Sequence, residues 1–153
     1  KNGEIALVVN TISLKQPLNP KIFSDIAEAA ASYIFPQQKR DKKGNLSFDN
    51  KGNPIYEKHN QSTQIRKYYD ELSMWDDKIH RAADKNAEYQ KTAPYIHMLK
   101  AKVAYALGRE HVDKHFMDVF NKIIGQIGSA ETLHHAKLFY EAMLGFRKAQ
   151  ESK

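Results

Sequence analysis

Histidines are the residues whose type and spacing first suggest chemistry: seven stand among 153 residues, and there is no cysteine. His111 and His115 lie four apart, so on a helix both rings could reach one metal ion. The metalloprotease pattern sets Glu directly after the first His, and Val112 stands there instead. A third ligand is also needed, and the adjacent His134 and His135 point in different directions on a helix. Solvated or interface histidines are therefore the expected reading, with no metal and no cofactor. Gly125-Gln126-Ile127-Gly128 has neither the spacing nor the Lys-Ser/Thr ending of a phosphate loop, and no Gly-x-Ser-x-Gly elbow occurs. Asp76-Asp77 reads as helix surface rather than an acid/base pair. Without cysteine there is no disulfide scaffold and no thiol nucleophile, which suits a reducing, cytoplasmic setting. The pattern does not argue for an enzyme.

Cations are more informative. Lys and Arg number 24 against 18 Asp and Glu, a net charge of +6, which favours a polyanionic partner. The excess comes from two places. Gln37–Asn60 is rich in Lys, Asn and Gly, and Tyr89–Arg109 holds Lys91, Lys100, Lys102 and Arg109 without one Asp or Glu. At about 100° per residue from Ile96, the residues Met98, Lys102, Tyr105 and Arg109 fall between about 180° and 240°, opposite the apolar face. Two cations with a tyrosine between them suit a nucleic-acid backbone, the cations on phosphates and the ring on a sugar or base. An ordinary solvated face would carry the same residues. Lys100 sits near 40°, beside the apolar face, where it can snorkel from the core. Arg66 and Lys67 fall in the first turn of another helix. The macrodipole disfavours them there, unless Asp70 and Glu71 pair with them or an anion is gripped.

Helices must position these groups. Asn19-Pro20 opens the first, on Ile22, Phe23, Ile26, Ala30 and Tyr33, and Pro36 stops it. Residues 37–60 form a mobile basic insertion or a small hairpin turning at Asn50-Lys51-Gly52-Asn53. A helix from Ser62 to about Asn86 follows, on Ile65, Tyr68, Tyr69, Leu72, Trp75, Ile79, Ala82 and Ala83. The next is capped by Thr92, has Pro94 in its first turn and ends at Gly108. A fourth runs from about Glu110 to Ile127 on Val112, Phe116, Val119, Phe120, Ile123 and Ile127. Ser129 caps the last, which packs through Leu133, Ala136, Phe139, Tyr140, Met143 and Leu144. The expected fold is all-α, a single domain over residues 1–153 built as a compact bundle of about five amphipathic helices, with 1–18 irregular. The apolar stretch Ile5–Val9 is too short for a secretory signal, and no run approaches the roughly 20 residues of a membrane span. The chain opens at Lys1 without Met, so the natural start is expected upstream. Tyr89, Tyr95 and Phe35 are candidate exposed aromatics for contacts with neighbouring subunits.

Three blocks resemble a known family. Thr63-Gln64-Ile65-Arg66-Lys67-Tyr68-Tyr69, Leu99-Lys100-Ala101-Lys102-Val103-Ala104-Tyr105-Ala106-Leu107-Gly108-Arg109 and Phe139-Tyr140-Glu141-Ala142-Met143-Leu144-Gly145-Phe146-Arg147-Lys148 are similar, in order, to segments of the small helical subunit of type III-A CRISPR effector complexes, the Csm type. Gly145 and Phe146 depart from that family's usual Ala and Tyr, and the 37–60 segment is longer and more basic than expected. The resemblance implies a non-catalytic helical subunit that stacks in several copies beside the guide RNA–target RNA duplex. It would touch mainly target-strand phosphates and leave cleavage to other subunits. The expected RNA-binding residues are Arg66, Lys67, Lys102, Tyr105 and Arg109, then Lys100, Arg147 and Lys148. Two other readings compete: a helical DNA-binding regulator, for which the stripe lacks Asn or Gln to read base edges, and a His-dependent metalloenzyme.

Overall fold

The protein is described by a computed structural model covering residues 8–151. Ile22–Ile26 form a π-helical turn, and Asn19 Oδ1 accepts the Lys21 N–H just before it at 2.8 Å. The turn leads into α1 (Ala27–Ile34), which buries Ala27, Ala30, Ala31 and Ile34. Pro36 follows, as expected of a residue that cannot continue a helix. The remaining helices are α2 (Ser62–His80), α3 (Lys85–His97), α4 (Leu99–Gly108), α5 (Lys114–Ile124) and α6 (Ala130–Glu151). The fold is all-α: α1 and α2 both lie against α6, α3 leans on α2, and α4 packs on α5. Phe116, Phe120, Phe139 and Tyr140 are the largest fully buried side chains, and they hold the centre of this arrangement. The Tyr140 hydroxyl donates to the Ile65 carbonyl, linking α6 to α2; complete burial pushes its ionisation far upward. No helix among the described residues is long and apolar enough to cross a membrane.

Helix boundaries depart from the sequence expectation where a cap outweighs the apolar period. The helix expected to start at Thr92 starts at Lys85, because Asp84 accepts the Ala87 N–H at 3.0 Å. Thr92 is buried inside α3 and its hydroxyl donates back to Glu88. Pro94 lies within α3 rather than at its start, and the chain turns at Met98 before α4. Likewise α5 begins at Lys114 rather than Glu110: Asp113 caps it by accepting the Phe116 N–H at 3.0 Å. At the end of α4, Glu110 takes φ 62°, the His111 N–H bonds to Ala106 and the Glu110 N–H bonds to Leu107. This left-handed closure throws His111 out of any helix. Ser129 does cap α6, accepting the Thr132 N–H at 3.1 Å.

Residues 37–57 are ordered as neither a plain loop nor one hairpin. Lys39, Ser47 and Ile55, eight residues apart, exchange backbone hydrogen bonds in a closed ring: Lys39 N–H to Ile55, Ile55 N–H to Ser47, and Ser47 N–H to Lys39, at 2.7–3.1 Å. Two matching turns join the three limbs. Asp41 Oδ1 accepts the N–H groups of Lys43 and Asn45, and Asp49 Oδ1 those of Lys51 and Asn53. Those backbone donors hold the Asp49 carboxyl below its ordinary range. Gly44 and Gly52 take φ 85° and 82°, the left-handed conformation that both turns require. The limbs meet only through isolated bridges, so no sheet forms among the described residues.

Asn60 then ties this segment to the bundle. It is fully buried at φ 59°, a conformation Asn tolerates. Its Nδ2 donates to Ile34 O and Asp113 Oδ1, and its Oδ1 accepts the Asp113 N–H. Its own N–H bonds to His111 O, while its carbonyl accepts Arg147 Nη2 at 2.9 Å. One residue, through its side chain and its main chain, thus joins the end of α1, the start of α5 and the last turns of α6, with its polar atoms satisfied.

Candidate nucleic-acid interface

The α2 and α4 helices stand apart enough to leave a groove of about 530 Å³ between them. Each helix buries its apolar stripe, Ile65, Tyr68, Leu72 and Ile79 on α2 and Leu99, Val103 and Ala106 on α4. The facing edges carry polar groups beside the apolar Met98, Ala101 and Ala106. Lys67 and Glu71 come from α2, Lys102 and Tyr105 from α4, and Tyr68 and Ala106 also line the groove. Tyr68 lies beneath Lys67, whose ammonium is 5.8 Å from the ring centre. Burial raises the Tyr68 phenol, while the Gln64 amide at 3.1 Å opposes that rise. Tyr105 is 65% exposed, and Arg109, one turn on, places its guanidinium 5.8 Å from the ring centre and 3.1 Å from the hydroxyl. Lys102 is already engaged: its ammonium meets Glu71 at 2.7 Å across the groove. Glu71 is the one carboxylate among the lining residues, so the edge is cationic and aromatic in balance.

Beyond Lys102 the groove continues over apolar surface, lined by Trp75, Tyr95 and Met98. Trp75 and Tyr95 stack with centroids 6.2 Å apart, and Lys78 caps the indole at 5.6 Å. Of the aromatics expected on the outside, Tyr95 is there, at 61% exposure. Tyr89 is not: it is buried, with its hydroxyl on the Ile127 carbonyl. Phe35 is half-buried beneath Arg147. Both lie where a neighbouring helix needs an apolar cover, which a periodicity count on one segment does not reveal.

The structure therefore gathers Lys67, Lys102, Tyr105 and Arg109, and separates the rest. Arg66 faces solvent and pairs with Asp70 at 3.9 Å, outside the groove lining. Lys100 is exposed on α4, also outside that lining. Lys148 reaches Glu151 at 3.4 Å on the far end of α6. Arg147 needs correction as a surface cation. It is 3% exposed, bonded to Asn60 O and Glu151, and set 5.2 Å over the Phe35 ring. A guanidinium so enclosed holds the fold and has no face to offer a phosphate.

The histidine pair does not assemble either. His111 precedes α5, and the His115 ring stacks on Tyr33 at 4.3 Å. Asp76, read as helix surface, is instead 6% exposed and faces His80 and His134. Its i,i+4 spacing from His80 was the available signal; that α6 would bring His134 opposite was not written in either helix alone. The family model described as Csm2 Type III-A matches residues 47–153, a span that includes α2 through α6. Comparison with curated proteins and with solved structures returns no match.

Proposed function

Because the chain belongs to the Csm2 Type III-A family, and is thus a subunit of a type III-A CRISPR complex, we propose that it is a non-catalytic, RNA-binding member of that assembly. In this reading the α2–α4 groove lies along the guide RNA–target RNA duplex and its cations meet target-strand phosphates. The observation that carries it is the convergence of Lys67, Lys102 and Tyr105, from two helices, on one groove, with Arg109 against the Tyr105 ring. Cations at a phosphate backbone release counterions, and an exposed ring can pack on a sugar or base. Neither contact reads sequence, which fits a subunit that must accept any target. Arg66 and Lys100 stand outside the groove and rank behind Lys67, Lys102, Tyr105 and the Arg109 that packs on the Tyr105 ring; Lys148 ranks last. The Trp75–Tyr95–Met98 surface at the groove's end suits a neighbouring copy or another subunit of the complex.

The test is Lys102→Ala with Arg109→Ala in the assembled complex, with helicity checked. Target-RNA affinity should fall for all sequences alike, and the salt slope should drop by roughly 1 for each contacting cation removed. Unchanged affinity and slope would reduce the groove to a solvated face. Tighter binding of the isolated chain to DNA duplex than to RNA duplex or single strand would favour a DNA-binding regulator instead.

A further inference from the structure

Asp76, His80 and His134 form a cluster that the groove does not use. His80 follows Asp76 by one turn of α2, and His134 faces both from α6. His134 Nδ1 lies 3.0 Å from Asp76 Oδ2, and His80 Nδ1 lies 3.1 Å from Oδ1. The two rings are 4.9 Å apart between centres. Each residue offers one ligand atom, and all three atoms fall within 4.8 Å of one another. Each imidazole thus sits, through a different carboxylate oxygen, near the roughly 3.3 Å ligand–ligand edge of a tetrahedral site with bonds of about 2.0–2.1 Å to nitrogen and oxygen.

The carboxylate supplies a second, independent observation. Its side chain is 9% exposed, and Oδ1 is buried without a hydrogen-bond partner. His80 Nδ1 also sits 2.9 Å from the Asp76 main-chain carbonyl, and one ring proton cannot serve both oxygens. A buried carboxylate oxygen left without a donor is costly, and a cation there would relieve it. The nearby ammonium does not take this role: Lys137 is held by Glu141 at 2.9 Å. Both imidazoles are more than a third exposed, so water and ions can reach the cluster from outside.

We propose that Asp76, His80 and His134 bind one Zn2+ ion, which clamps α2 to α6. Two imidazoles and a carboxylate are a donor set suited to zinc and poorly suited to Mg2+, which prefers oxygen and keeps its waters. Three protein ligands leave a fourth position for water or for a donor from an adjoining molecule. The proposal is independent of RNA binding, since none of the three residues lines the groove.

The experiment uses tag-free full chain, stripped with a chelator and titrated with ZnCl2 by calorimetry, with thermal unfolding followed in parallel. One Zn2+ should bind per chain and raise Tm, because an ion bound only by the folded state stabilises it by mass action. MgCl2 should do neither. His134→Gln, at a part-exposed position, should keep wild-type helicity yet bind Zn2+ at least about tenfold more weakly and lose the Tm gain. Asp76→Asn should do the same. His135→Gln, beside the cluster but outside it, should retain both. Absence of saturable Zn2+ binding to the wild type, or wild-type binding by His134→Gln, would overturn the proposal and leave the cluster as hydrogen bonds between helices.

Discussion

Arg109 beside the groove and Arg147 in the knot around Asn60 are the same residue type, yet their surroundings could hardly differ more. Around Arg147 every neighbour is an acceptor or a ring: the Asn60 carbonyl, the Glu151 carboxylate and the face of Phe35, with only Nε unsatisfied. Around Arg109 there is an exposed tyrosine and open solvent. A cation that the fold needs is enclosed and paired; a cation that a ligand can use must be left partly unpaired. The difference lies in what the third dimension brings to each side chain, above all in whether a backbone carbonyl is waiting for it.

The largest effect should come from opening the knot. Arg147→Ala strands the buried Asn60 carbonyl, while the exposed Glu151 keeps Lys148 and water; an unsatisfied buried acceptor typically costs about 1–3 kcal/mol, before the lost packing over Phe35 is added. Urea unfolding should show a lowered midpoint of that order, with the slope unchanged. The molecules that remain folded should still bind RNA. A variant of normal stability that binds RNA poorly would return Arg147 to the interface and erase the contrast.

How much of this was legible in the sequence follows from the same contrast. The apolar faces of α2, α5 and α6 were readable because each helix carries its own period: Ile65, Tyr68, Leu72 and Ile79 are all buried, as are Phe116, Val119, Phe120 and Ile123. The stripe of Lys102, Tyr105 and Arg109 was readable for the same reason, since its members share one helix or its edge. Helix starts were harder. The caps Asp84 and Asp113 act through single side-chain hydrogen bonds, and the apolar pattern ran past both. Least legible were features made by two distant segments. Asn60 with Arg147, and Asp76 with His134, are separated by 87 and 58 residues, and neither partner advertises the other. The ring at Lys39, Ser47 and Ile55 was hidden differently: its repeat of eight residues, Asp-x-Lys-Gly-Asn, is too short for a search at solenoid periods.

A smaller effect should follow from the aromatic ring in the groove. Tyr105→Ala removes an exposed side chain, so stability should change by no more than about 0.5 kcal/mol. Target-RNA affinity in the assembled complex should fall by about 1–3 kcal/mol if the ring packs on a base, and Tyr105→Phe should recover most of it. Equal losses in the Ala and Phe variants would shift the weight to the hydroxyl and its bond to Arg109, making Tyr105 a support for the guanidinium.

The smallest effect tests the one groove cation that resembles Arg147 in being paired. Lys102 meets Glu71 at 2.7 Å, but the two side chains are 48% and 29% exposed, so the pair belongs with surface bridges that contribute about 0–1 kcal/mol. Glu71→Gln should therefore lower stability only slightly. In the groove, however, Glu71 competes with phosphate for the same ammonium and adds the one negative charge to the lining. Removing it should tighten target-RNA binding, and the gain should shrink when Lys102→Ala is already present, because the two residues act on each other. Raising salt should narrow the gap between Glu71→Gln and the wild type, since screening weakens the carboxylate's repulsion of phosphate. If Glu71→Gln instead weakened binding, the bridge would be positioning Lys102 for the RNA, and pairing would no longer separate the cations that hold the fold from those that face a ligand.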